Sequence, residues 1–105
     1  MSELLQVTDA SFAADVEGSS GVLLLDFWAP WCGPCRAMEP ILKELAAENP
    51  QFTIAQINVD ENPETTQAFD VMSIPTFAIF KDGKLAQRVS GGMPKAKMLS
   101  ILQAV

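Results

Sequence analysis

Histidine is absent from this chain of 105 residues, and cysteine occurs only twice. Together these shortages exclude most metal chemistry. A zinc site draws four protein ligands, which two cysteines could complete only across a symmetric dimer, so no metal is expected. Basic residues are scarce too, seven against thirteen acidic, for a formal net charge of −6. A surface of that sign repels phosphate backbones and anionic lipid, which disfavours nucleic-acid and membrane partners. No apolar run approaches the roughly 18 residues that a membrane span requires. No basic-then-apolar leader precedes "MSELLQVTD", so the expected location is cytoplasmic. Repeats, low-complexity tracts and linkers are likewise missing.

What remains is an ordinary globular composition, 49% hydrophobic and 19% charged, sized for one domain over residues 1–105. Apolar strand-like runs alternate with helical periodicities, the pattern of an α/β fold. A first strand is expected at Leu4–Val7, and Thr8 can cap a helix carrying Phe12 and Val16. "VLLLDFW" at 22–28 reads as a central strand covered on both faces. Met38, Ile41, Leu42 and Leu45 share one face of a long helix that Pro40 should kink. A strand at 52–59 follows. Asn62 and Pro63 then resemble the cap and first turn of a helix with Thr65, Ala68, Phe69 and Met72 on one face. "TFAIF" and "KLAQRV" flank Asp82-Gly83, a strong hairpin signal. Met98, Ile101, Leu102 and Val105 form the stripe of a last helix. The expected order is β-α-β-α-β-α-β-β-α, a mixed sheet with helices on both faces.

Both cysteines lie in "FWAPWCGPCR", three positions apart. Cys32 follows the central strand, and Gly33-Pro34 opens the next helix. Unpaired amides and the helix dipole there stabilise a thiolate, the nucleophilic form of cysteine. Cys35 lies on the same side of the helix, close enough to form a small disulfide ring, and should be less exposed. This predicts a two-step exchange in which Cys32 attacks a substrate disulfide and Cys35 then releases the reduced substrate. A structural clip over so short a loop would add little stability. Two inert core cysteines at chance spacing stand as the alternative. The strand-to-helix junction favours redox catalysis.

"LLLDFWAP" and "WCGPC", followed by "SIPTF", "FKDGK" and "SGG", resemble the thioredoxin family, over essentially the whole chain. The resemblance implies that family's fold, with a central mixed sheet of about five strands and about four flanking helices. It implies that Cys32 attacks and Cys35 resolves. Trp31, Gly33 and Pro34 would form an apolar collar, with Trp28 packed below the site. Asp26 would take the resolving thiol's proton, since burial should raise its pKa; the alternative is a strand-end aspartate reaching water. Pro75 matches a cis-proline that presents Ile74 for strand-like pairing with substrate, where residues alone would suggest a trans turn. Ser73, Ile74, Gly91 and Gly92 complete the docking surface by the same resemblance, although the glycines could be plain turn residues. Two positions depart from the family pattern. Gln56 stands where a lysine is common beside Asp26, which should make the carboxyl harder to ionise. Arg36 replaces another lysine but keeps the charge.

The resemblance further implies a monomeric protein-disulfide reductase that serves as general electron donor. It would bind no cofactor and be recycled by thioredoxin reductase, an NADPH-dependent flavoprotein. Oxidised proteins would be its substrates. A scaffold role that leaves the cysteines unused, or private donation to one enzyme, are the competing expectations.

Overall fold

Strand β2 (Val22–Trp28) is the centre of the molecule because its side chains alternate between two buried faces. In the computed structural model, which describes residues 4–105, five strands form one sheet in the order β1-β3-β2-β4-β5. The others are β1 (Leu5–Gln6), β3 (Phe52–Asn58), β4 (Thr76–Lys81) and β5 (Lys84–Ser90). β1 and β2 pair in parallel with β3, while β4 runs antiparallel to both β2 and β5. The mixed sheet is as expected.

Four helical segments cover it among the described residues: a π-helical turn (Ala13–Glu17), α1 (Gly33–Glu48), α2 (Pro63–Ala68) and α3 (Lys95–Gln103). Val22, Leu24, Ile54, Phe77 and Ile79 meet Met38, Leu42 and Leu45 of α1 and Met98 and Leu102 of α3. Leu23, Leu25, Phe27, Ala55, Ile57 and Phe80 face the other way, toward Val16, Phe12 and Phe69. Each fully buried side chain of this kind contributes about 1.5–3 kcal/mol. No described helix is long and apolar enough to cross a membrane.

Three expectations need correction. The first strand is shorter than Leu4–Val7, although the Val7 amide still donates to the Gln56 carbonyl at 2.8 Å. Thr8 caps a turn rather than a regular helix: its Oγ1 accepts from the Ser11 amide, and the Ser11 hydroxyl accepts from the Thr8 amide. The helix that follows is a π turn closed by Gly18 N–H on the Ala13 carbonyl. Pro40 lies inside α1, which runs on through it to Glu48. It lies on the exposed face, where solvent can satisfy the Arg36 carbonyl it leaves without a donor.

The third correction concerns α2. It stops at Ala68, so Met72 lies outside it and is 86% exposed rather than on a buried stripe. Asp70, at φ 50°, turns the chain out of the helical path. Asn62 holds the N-cap position, but its side chain accepts from the Asp9 amide and donates to the Asn58 carbonyl instead. Asp9 supplies the cap. Its carboxylate accepts from the Glu64 amide (3.1 Å), the Thr65 amide (2.8 Å) and the Thr65 hydroxyl (2.7 Å).

The β4–β5 turn has positive φ at both Asp82 (50°) and Gly83 (82°), as the Asp-Gly pair predicts. Its tip is held from outside. Asp82 exchanges two hydrogen bonds with Gly21, and a Cβ on Gly83 would overlap the Glu17 carbonyl.

Candidate functional site

Topology alone brings four chain segments to one end of the sheet. β2 and β3 are parallel, so both end there; β4 is antiparallel to β2 and starts there; β5, antiparallel to β4, ends there. The segments leaving β2 (Ala29–Cys32), leaving β3 (Val59–Asp60), entering β4 (Ser73–Pro75) and leaving β5 (Gly91–Gly92) therefore converge. The candidate site residues singled out in the sequence lie in or beside these segments, except Asp26 and Gln56 inside the strands; "FKDGK" forms the β4–β5 turn at the opposite end.

Cys32 and Cys35 are joined in a disulfide with their Cα atoms 5.2 Å apart. Cys32 is the N-cap of α1, in extended conformation at φ −87°, ψ 109°, and its Sγ accepts the Cys35 amide at 3.2 Å. The sulfur thus occupies the position of a capping oxygen. A negative charge there is stabilised by an N–H that the helix leaves unused and by the positive end of its dipole. Cys32 is 5% exposed and Cys35 2%, the expected order but a narrow margin. What distinguishes Cys32 more is its surroundings, at the rim with its Sγ 3.9 Å from the Ile74 carbonyl oxygen. Gly33 and Pro34 are exposed on the first turn. Arg36, also exposed, donates to the Pro30 carbonyl at 3.4 Å.

The rim is apolar. Ala29 packs beneath the disulfide, with Trp28, Val59 and Ile74 against it. The Ile74–Pro75 bond is cis, and Gly91, at φ 91°, donates its amide to the Pro75 carbonyl at 2.9 Å. Gly92 and Ser73 are exposed, and Trp31 is 67% exposed. Beside the disulfide, Trp31, Val59, Val71, Met72, Ser73 and Ile74 line a shallow groove of about 180 Å³.

Asp26 is completely buried, and neither carboxylate oxygen has a hydrogen-bond partner. Strand alternation puts it on the α1 face with Leu24 and Trp28. Burial pushes its pKa up to about 7; the neighbouring Gln56 amide draws it down, and the Glu39 carboxylate on α1 raises it. Gln56 stands opposite Asp26 in the β2–β3 register. The alternative of an aspartate reaching water is excluded.

Three contributors went unread in the sequence. The Trp31 indole N–H donates to Asp60 at 2.9 Å, which orients an otherwise exposed ring. Met72 lines the groove, and Glu39 acts on Asp26 one helical turn beyond Cys35. For Asp60 a signal existed, because parallel β2 and β3 must deliver both following loops to the same end. No comparable sequence signal marked Met72 or Glu39.

The sequence model of the thioredoxin family matches residues 3–104. The chain belongs to the thioredoxin family. The thioredoxin of Mycobacterium bovis is 49% identical over 105 residues, covering 99% of this chain and 90% of that one. The thioredoxin of Rhodospirillum rubrum is 49% identical over 100 residues, 94% of this chain and 96% of its own. A bifunctional thioredoxin reductase/thioredoxin of Mycobacterium leprae is 47% identical over 96% of this chain, which spans 22% of that protein. Membership in the thioredoxin family and the close cysteine pair make this chain a thiol–disulfide oxidoreductase.

Proposed function

We propose that this protein is a general cytoplasmic electron donor that reduces disulfides of oxidised proteins. The observation that supports this most is the Cys32 sulfur at the α1 N-cap, accepting the Cys35 amide. In the dithiol form Cys32 acts as thiolate and attacks one sulfur of a substrate disulfide, and the other leaves as a thiolate. Cys35, losing its proton, then attacks Cys32 Sγ; the second substrate sulfur leaves, and two electrons have passed to the substrate. Asp26, on the α1 face with a pKa near 7, is the acceptor for the Cys35 proton. The Trp31–Ile74 groove receives an extended segment of the substrate, pairing with the Ile74 backbone.

The cysteines carry the electrons, so the reaction calls for no bound cofactor. A thioredoxin reductase, NADPH-dependent and flavin-containing, would restore the dithiol. The Mycobacterium leprae relative, whose name joins both activities in one chain, supports that partner.

Reduction of insulin by dithiothreitol, with wild type and Cys35→Ser compared, is the test. Wild type should accelerate the reaction, and the variant should stall as a mixed disulfide through Cys32. No acceleration over dithiothreitol alone would remove the general-donor reading.

A further inference from the structure

Three polar side chains lie in a row across the α1 face of the sheet: Gln6 on β1, Gln56 on β3 and Asp26 on β2. Register pairs Gln6 with Gln56 and Gln56 with Asp26. Gln6 Nε2 donates to the Leu4 carbonyl at 3.2 Å and to Gln56 Oε1 at 2.9 Å. The first bond fixes the second, because a backbone carbonyl only accepts and the Gln6 atom it meets must be nitrogen. The Gln56 atom facing Gln6 must then be oxygen, which leaves the Gln56 NH₂ as the end free to turn toward the buried carboxyl.

We propose that Gln6 is a positioning residue for Asp26: by holding the Gln56 carbonyl oxygen at the sheet edge, it turns the Gln56 amide hydrogens toward the carboxyl. Without Gln6, rotation of the Gln56 amide by half a turn costs no bond and presents an oxygen to Asp26. That reversal replaces a favourable dipole with a repulsive one in a site that has no other polar partner for the carboxyl. On β4, Phe77 stands opposite Asp26 and offers no charge. From α1, Glu39 is the charged group acting on it among the described residues. The amide's orientation is therefore the adjustable element. Gln6 is exposed, so it can act on the interior without being part of the core.

This inference deepens the reading of Asp26 as proton acceptor, and two measurements separate them. The first follows the Asp26 side-chain carboxyl carbon by NMR titration of the full chain in wild type, Gln6→Met, Gln56→Met and the double variant. Gln6→Met should raise the midpoint by at least ~0.5 pH unit, as expected for reversing an adjacent hydrogen-bond donor. The same change made on top of Gln56→Met should leave it where it was. Gln6→Lys, which can only donate, should hold the midpoint at or below the wild-type value. An unmoved midpoint in Gln6→Met overturns the proposal, as does an equal shift with and without Gln56. The second measurement is the pH profile of mixed-disulfide release. If the carbon titration moves and this profile does not, Gln6 still positions Asp26, and the proton role of Asp26 is what fails.

Discussion

Asp9 and Asp26 are chemically identical and energetically opposite. Asp9 accepts three hydrogen bonds from the start of α2, whereas Asp26 accepts none. Burial disfavours the Asp9 charge, but the Thr65 hydroxyl and amide and the Glu64 amide outweigh it and hold the pKa below its ordinary value. Burial wins at Asp26 and brings its pKa to about 7. Depth and donors pull in opposite directions, and the balance between them decides which way a carboxyl moves. One aspartate stabilises the fold by being charged. The other weakens it by charging, and at neutral pH it can exchange a proton.

The comparison breaks most readily at Asp26. Between pH 3.8 and about 7 the folded form holds a proton that the unfolded chain has lost. Stability is therefore greatest below that window and falls as pH rises through it. Asp26→Asn should be more stable than wild type by about 2–4 kcal/mol at pH 8 and nearly equal at pH 4, by guanidinium unfolding at both pH values. A difference independent of pH would show that burial does not govern this group.

Asp9 should behave with the opposite sign. Its lowered pKa means that its stabilisation is present above the unfolded value and is lost as pH falls through the folded one. Asp9→Ala should lower the thermal midpoint at pH 7 and lose that effect in acid, while insulin reduction per folded molecule is unchanged. A thermal midpoint equal to wild type at pH 7 would mean that α2 needs no outside cap.

Asp60 supplies the weakest case, an exposed carboxylate with one bond to Trp31. Asp60→Ala should change stability by less than about 0.5 kcal/mol. A modest rise in KM for insulin, at unchanged kcat, would mark loss of the ring's orientation. Unchanged kinetics would show that Trp31 is held by packing alone.

Local features were legible in the sequence. β2 announced itself by an unbroken apolar run, and the hairpin by Asp82-Gly83. The reactive pair was legible because helix capping depends only on near neighbours. What escaped was non-local. The α2 cap comes from Asp9, more than fifty residues upstream of the amides it receives. The periodicity that carried α2 on to Met72 continued past the point where Asp70 leaves the helix. Asp26 was readable as buried, yet its neighbours depend on strand order, and the row from Gln6 through Gln56 exists only once β3 lies between β1 and β2.

The hairpin tip has a practical consequence for engineering. Exposed tight turns are ordinarily where a chain tolerates inserted peptides, affinity tags or new termini. Here the turn is fastened to Gly21 and seated against Glu17, with no room for even a methyl group on Gly83. A tag placed between Asp82 and Gly83 would pry the β4–β5 ribbon away from the segment that leads into the central strand. The end of the sheet opposite the cysteines is thus a poor graft site.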